Sequence, residues 1–127
     1  MIEALFNQTN YLAAKSGLDA SNLKHRAITS NLANVETPGY RRVDLAPSFK
    51  SSLAQAMHNK NRAQLASIKP QVVVDQTAVS KNKDGNTVDL EQEMVALNQN
   101  ALNHKLQAQL VSGTLAKLRL AITGRPR

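Results

Sequence analysis

Two stretches of this chain repeat apolar residues at helical spacing, and each carries two stripes rather than one. From Thr9 to Asn34, Tyr11, Ala14, Leu18, Ile28, Leu32 and Val35 step by three and four, with Ser21 and His25 in the same phase. That is a heptad seam sustained for more than three repeats. A weaker stripe, Leu5, Leu12 and Leu23, runs on nearly the opposite face. From Asp89 to Thr123 the seam reads Leu90, Met94, Leu97, Ala101, His104, Ala108, Val111, Leu115, Leu118 and Ile122, beside a second stripe of Val95, Leu102, Leu106 and Leu110. A hairpin of two helices buries one seam of each and leaves the other wet. Two stripes per helix therefore predict neighbours on both sides, as in a packed array of subunits. The alternative is a compact monomer with a short middle helix as third member.

The first helix stops abruptly at "NLANVETPGYRR". Pro38 disfavours helical geometry at Thr37, so the helix ends at or before that residue. Pro38 and Gly39 suit the two central positions of a type II turn, since proline fixes φ and glycine accepts a positive φ. Asn34 tolerates left-handed geometry and is expected to close the helix. Tyr40 packs back with its hydroxyl on a polar partner, and Arg41 and Arg42 follow at a fixed spot. Read by itself, the stretch is also compatible with an ordinary helix stop.

The second helix has a clear start. Asp84-Gly85-Asn86 is a turn signal, and Asp89 is the expected N-cap, with Gln92 its capping-box partner. Glu91 and Glu93 suit the positive end of the helix dipole, and Lys117 and Arg119 the negative end. Gly124 and Pro126 end it. Three segments result: 1–44, an N-terminal helix and turn; 45–87, a basic middle with little stable structure; and 88–127, a C-terminal helix. In the middle, a short helix is expected from a Ser48 cap and a short strand at Gln71–Asp75.

Composition suits a protein that completes its core with neighbours: two Phe, two Tyr and no Trp. With no cysteine, disulfides and thiolate metal sites are excluded. No apolar run approaches the roughly 18 residues of a membrane span, and the N-terminus does not read as a cleaved secretory signal. The net charge of +7 raises nucleic acid as a partner. Its distribution argues otherwise. Residues 1–44 and 84–127 each balance five basic against four acidic residues, while 45–83 sets six basic residues against Asp75 alone. The excess lies in the least patterned third, not along a helix face. His25, His58 and His104 form no i,i+4 metal pair, and there is no phosphate loop or nucleophile motif. The sequence predicts no enzyme and no cofactor.

At this point a family resemblance is visible. "SNLANVETPGY", Ser30 to Tyr40, is similar to the N-terminal signature of flagellar rod, hook and filament-junction proteins. "DGNTVDLEQEM", Asp84 to Met94, and the helix after it resemble the proximal rod branch of that family. The short chain agrees, because hook and distal rod proteins insert large domains between the terminal helices. Residues 46–83 depart from the pattern. On this resemblance the motif positions are Asn31, Leu32, Ala33, Asn34, Thr37, Pro38, Gly39 and Tyr40, then Asp84, Gly85, Asn86, Val88, Asp89, Glu93 and Met94. The assembly seams are Tyr11, Leu18, Ile28, Leu32, Leu97, Val111, Leu115, Leu118 and Ile122.

The two seams predict an all-α fold with two long helices packed as an antiparallel coiled-coil-like pair, the simplest return that the connection allows, and the resemblance implies a structural subunit. It implies helical assembly within the basal-body rod, in the periplasmic space, after export through the flagellum's own secretion channel. Implied partners are other rod subunits, the rod-base adaptor, the export gate, the surrounding ring and further copies of the chain, with no nucleic acid and no membrane embedding. "FKSSL", Phe49 to Leu53, fits a loose gate-recognition pattern and equally the apolar face of a short helix. Among the antiparallel registers, one sets His25 opposite His104, Ser21 opposite Ala108 and Leu32 opposite Leu97. A shift of one heptad matches in phase as well.

Overall fold

The computed structural model describes residues 9–124. In chain order the elements are helix α1, Thr9–Ala33; strand β1, Val43–Leu45; helix α2, Pro47–His58; helix α3, Arg62–Ser67; strand β2, Val72–Val74; and helix α4, Leu90–Thr123. The long helices fall where the heptad patterns place them. Leu5 and Pro126 lie outside the described residues.

The middle holds more structure than its composition suggests. β1 and β2 pair antiparallel, Val43 with Val74 and Leu45 with Val72, so the chain is mostly helical with a two-stranded ribbon rather than all-α. α2 begins at Pro47, a position where proline's missing N–H is no loss. Ser48 is not its cap: Ala46 holds the N-cap position and no side chain caps the helix. Phe49 and Ala56 are buried on one face of α2, the helical reading of "FKSSL". The unanticipated α3 starts from Asn61, whose side chain accepts from the Gln64 amide at 3.0 Å, and buries Leu65.

α1 lies at the centre, packed on α4 along one side and on β1, α2 and α3 along others. Its buried positions are Ala14, Ser16, Ala20, Ser21, Ala27, Ile28 and Asn31, mostly small residues that permit close approach. Leu12 and Ser16, on the second stripe, face Leu65, Ile68 and Pro70 of the middle segment. The apolar core among the described residues is thin: Ala14, Ala20, Ala27, Ala56, Ile28, Phe49 and Leu65. Burying a side chain of the larger kind contributes about 1.5–3 kcal/mol, and an alanine much less.

α4 is capped as expected. The Asp89 carboxylate accepts from the amides of Glu91 and Gln92 at 3.0 and 3.3 Å. Gly124, at φ +67°, closes the helix in left-handed geometry. Its buried face differs from the heptad prediction. Leu97, His104, Val111 and Leu118 are half-buried as expected, but Met94, Ala101 and Leu115 are exposed, as are the end positions Leu90 and Ile122. In place of Met94 and Ala101, their N-terminal neighbours Glu93 and Asn100 are buried, while Gln107, Ala108 and Thr114 are all half-buried. The helix is rotated by about one residue so that a polar row meets α1, where Glu93 and Asn100 find bonding partners.

The register also differs from the histidine-matched one. Asn100 donates to the Ser21 carbonyl at 2.8 Å, where that register expects Ala108. The Gln107 amide lies against Gly17 rather than Ser112, and Asn31 bonds Glu93 rather than meeting Asn98. These contacts lie five to eight residues from the histidine-matched pairing. His25 is exposed, and His104 borders the same shallow groove between the helices.

Candidate functional site: the polar junction

The two motif stretches, some fifty residues apart in the chain, form one junction at the end of α1. Asn86 is its cap. Its side-chain amide donates to the carbonyls of Asn34, Val35 and Thr37 at 2.8, 3.0 and 2.8 Å. These carbonyls belong to the turn that follows the helix, and those of Asn34 and Thr37 also accept the Thr37 and Tyr40 amides at 3.0 and 3.2 Å. Asn86 is held in turn: its amide N–H meets the Asp84 carboxylate, and its side-chain oxygen accepts from Val88 N–H at 2.8 Å. Asn34 does not adopt left-handed geometry; the positive-φ residues among those described are Lys60 and three glycines. It works through its side chain, donating to the Ser30 carbonyl and accepting from the Thr37 hydroxyl.

The Pro38-Gly39 turn forms as expected. Tyr40 N–H bonds the Thr37 carbonyl at 3.2 Å, and Gly39 has φ +73°. Gly39 N–H reaches across to the Asp84 carbonyl at 2.8 Å, and Thr87 N–H to the Tyr40 carbonyl at 3.0 Å. Gly85, at φ +78°, packs against Gly39, its added Cβ falling 3.7 Å from the Gly39 Cα.

Beneath the turn lies Asn31, fully buried. Its side chain donates to the Val43 carbonyl at 2.8 Å and to Glu93 Oε2 at 3.2 Å. It accepts from Val43 N–H at 3.0 Å and from the Tyr40 hydroxyl at 3.2 Å. The same hydroxyl is 3.0 Å from Ser30 Oγ. Asn31 thus spends both ends of its amide joining α1, the turn, β1 and α4.

Arg42 is the charged hub. Its Nε donates to Glu93 Oε1, and its Nη1 donates to Asp44 at 3.0 Å and Asp75 at 2.8 Å. Glu93 is fully buried, and Lys24 adds a contact to Asp44 at 3.3 Å. Burial opposes the Arg42 charge, but the bonds to Glu93 and Asp44 outweigh it and raise its pKa, so it stays protonated. The Thr77 hydroxyl and amide, assisted by Arg42, hold the Asp75 carboxyl below its ordinary range. An ion pair this buried costs desolvation, so it fixes geometry more than it adds stability.

The motif positions therefore fall into two groups. Asn31, Asn34, Thr37, Gly39, Tyr40, Asp84, Gly85, Asn86, Val88, Asp89 and Glu93 meet in or beside the junction. Ala33, Pro38 and Met94 are exposed, and Leu32 is half-buried. Of the seam residues, Ile28 is buried, and Tyr11, Leu18, Leu97, Val111 and Leu118 are half-buried. Sequence reasoning missed the hub. It read Glu93 as a dipole residue and a position of the helix-start motif, and left Asp44 and Asp75 without a role. One signal pointed there: Asp75 is the lone acid of the basic segment 45–83.

The two long helices are clasped at one end by hydrogen bonds between the segments Ser30–Tyr40 and Asp84–Met94, the two stretches that resemble the flagellar axial signatures. No family model matches the chain. The flagellar basal body rod protein FlgB of Borrelia hermsii is 30% identical over 107 residues, covering 70% of this chain and 77% of that protein. FlgB of Bacillus subtilis (strain 168) is 27% identical over 123 residues, covering 87% and 90%. FlgB of Aquifex aeolicus is 29% identical over 104 residues, covering 80% and 83%. The chain belongs to the FlgB family of flagellar basal body rod proteins, structural subunits of the rod.

Proposed function

We propose that the chain assembles helically with other rod proteins in the proximal rod, through the apolar face that α4 leaves uncovered. That face is the observation on which the proposal rests: Val95, Leu102, Leu106 and Leu110 are all more than half exposed. No described helix is long and apolar enough to cross a membrane. The two long helices run antiparallel in this reading. Supporting it, contacts reverse in order along them: Gly17 with Gln107, Ser21 with Asn100, Asn31 with Glu93. The thin core supports helices that consolidate fully only when neighbours cover them. Placement in the periplasmic rod, export through the flagellar channel, and contacts with the rod-base adaptor, export gate and ring follow from the family resemblance.

The test is complementation of a deletion strain with Leu102→Asp and Leu106→Asp. The variants are expected to leave the helicity of the purified chain unchanged, to vanish from isolated basal bodies and to abolish swimming. Normal levels in basal bodies would overturn the proposal. Spin labels at positions 13 and 114 test the orientation, lying close if the helices are antiparallel and far apart if parallel.

A further inference from the structure

The β1–β2 ribbon has two edges, and the fold closes only one of them. Asp75 N–H bonds the Arg42 carbonyl at 2.9 Å, and Ala46 N–H bonds the Gln71 carbonyl at 2.8 Å. Val43 stands opposite Val74, Asp44 opposite Val73 and Leu45 opposite Val72. Antiparallel alternation then turns the backbone groups of Asp44 and Val73 toward each other, and those of Val43, Leu45, Val72 and Val74 outward. On the β1 edge these groups are occupied. The Asn31 side chain donates to the Val43 carbonyl and accepts from the Val43 N–H, and Leu45 N–H donates to the Asp44 carboxylate at 2.7 Å. On the β2 edge no third strand joins. Among the described residues, no loop or side chain bonds the outward groups of Val72 and Val74.

The three valines of β2 are each more than a third exposed. Successive side chains point to opposite faces, so the strand is open on both faces as well as along its edge. Within Val72–Val74 there is neither a charge nor a proline, the usual means of blunting a free edge. We infer that the β2 edge receives an extended, acidic segment of a different protein of the rod assembly. The inference rests on the rod-subunit reading and adds a strand contact to it. A second copy of this chain does not fit the edge. Its β1 edge is closed by Asn31, so only β2 is left to pair with β2, a two-fold contact that sets like charge against like. Residues 45–83 hold six basic residues against Asp75, and that carboxylate is taken by Arg42 Nη1 at 2.8 Å. The complement of such a segment is a negatively charged strand. Main-chain bonds to Val72 and Val74 supply the attachment, and the surrounding charge selects the partner.

The test places a benzophenone side chain at position 72 or 74 of the full chain, in cells lacking the native gene. Isolated basal bodies are irradiated and the products mapped by mass spectrometry. Both positions are expected to cross-link to one segment of another protein, at residues spaced as along a strand, with more acidic than basic residues around them. Val74→Pro removes an outward N–H and no ladder bond to β1. It is expected to lose most of the cross-link from position 72 while amide protection at Val73 stays unchanged. Undiminished cross-linking in Val74→Pro would overturn the inference. Cross-links only between copies of this chain, to a basic segment, or to nothing, in basal bodies that contain the labelled chain, would also overturn it and leave the rod reading intact. Absence of the unsubstituted chain from basal bodies would overturn both.

Discussion

α1 and α4 begin from the same kind of sequence, two apolar stripes on a long helix, and end in different surroundings. α1 is enclosed by α4 on one side and by β1, α2 and α3 on others. α4 buries Glu93 and Asn100, half-buries Leu97, Val111 and Leu118, and exposes the second-stripe residues Val95, Leu102, Leu106 and Leu110. The difference lies in what the middle segment chooses to cover. Its Leu65, Ile68 and Pro70 line the groove beside Leu12 and Ser16 of α1, whereas on the second stripe of α4 Leu110 faces Leu53 and Met57 across an open groove and Val95, Leu102 and Leu106 stay more than half exposed. A stripe thus marks a surface to be covered; the chain's topology decides whether it is covered from within or by a neighbour.

That contrast is open to attack, most strongly at the junction. Arg42→Met removes the cation from the buried Glu93 and should destabilise the chain by about 3–5 kcal/mol, read as a lower urea midpoint. The double variant Arg42→Met, Glu93→Met should recover most of the loss, because no buried charge is then left alone. Asn31→Ala, which unpairs buried groups on three elements, should cost about 1–3 kcal/mol by the same measurement. Gly39→Ala, placing a Cβ at φ +73°, should cost about 1–2 kcal/mol. At the smallest end, Leu106→Gln on the uncovered face should change monomer stability by less than about 0.5 kcal/mol, yet remove the chain from basal bodies. A large loss in the monomer would mean that α4 is covered from within after all.

Acid sharpens the same comparison. Asp75, whose pKa is lowered in the fold, contributes stability above its unfolded value, near pH 4. That contribution is lost as pH falls through the lower folded value. Amide exchange should therefore show the β1–β2 ribbon loosening below about pH 4, with Asp75→Asn removing that part of the pH dependence. The second half of α4, which contacts none of this hub, should keep its exchange rates.

Much of the architecture was readable because it is local. Proline restricts the residue before it, Gly39 permits the turn, and Asp89 reaches amides two and three residues ahead. These effects act within a turn of helix, so the extents of α1 and α4 and the geometry at Pro38-Gly39 are legible locally, and Asn86 and the Asp84 carbonyl then hold that turn from a distance. The clasped motif residues were visible too, though as a resemblance rather than as bonds.

What tertiary structure decided was which face and which register. A three-four repeat matches itself after one heptad, so apolar pattern leaves several registers equal in phase. The choice fell to side chains distant in sequence: Arg42 with Glu93, Asn31 with Glu93 and Val43, and Asn100 with the Ser21 carbonyl. Those bonds turn α4 by about one residue and bury a polar row where periodicity alone places leucine, methionine and alanine. A buried carboxylate without its cation costs more than exposed leucines that a neighbouring subunit can cover, and that inequality appears only once the chain has folded.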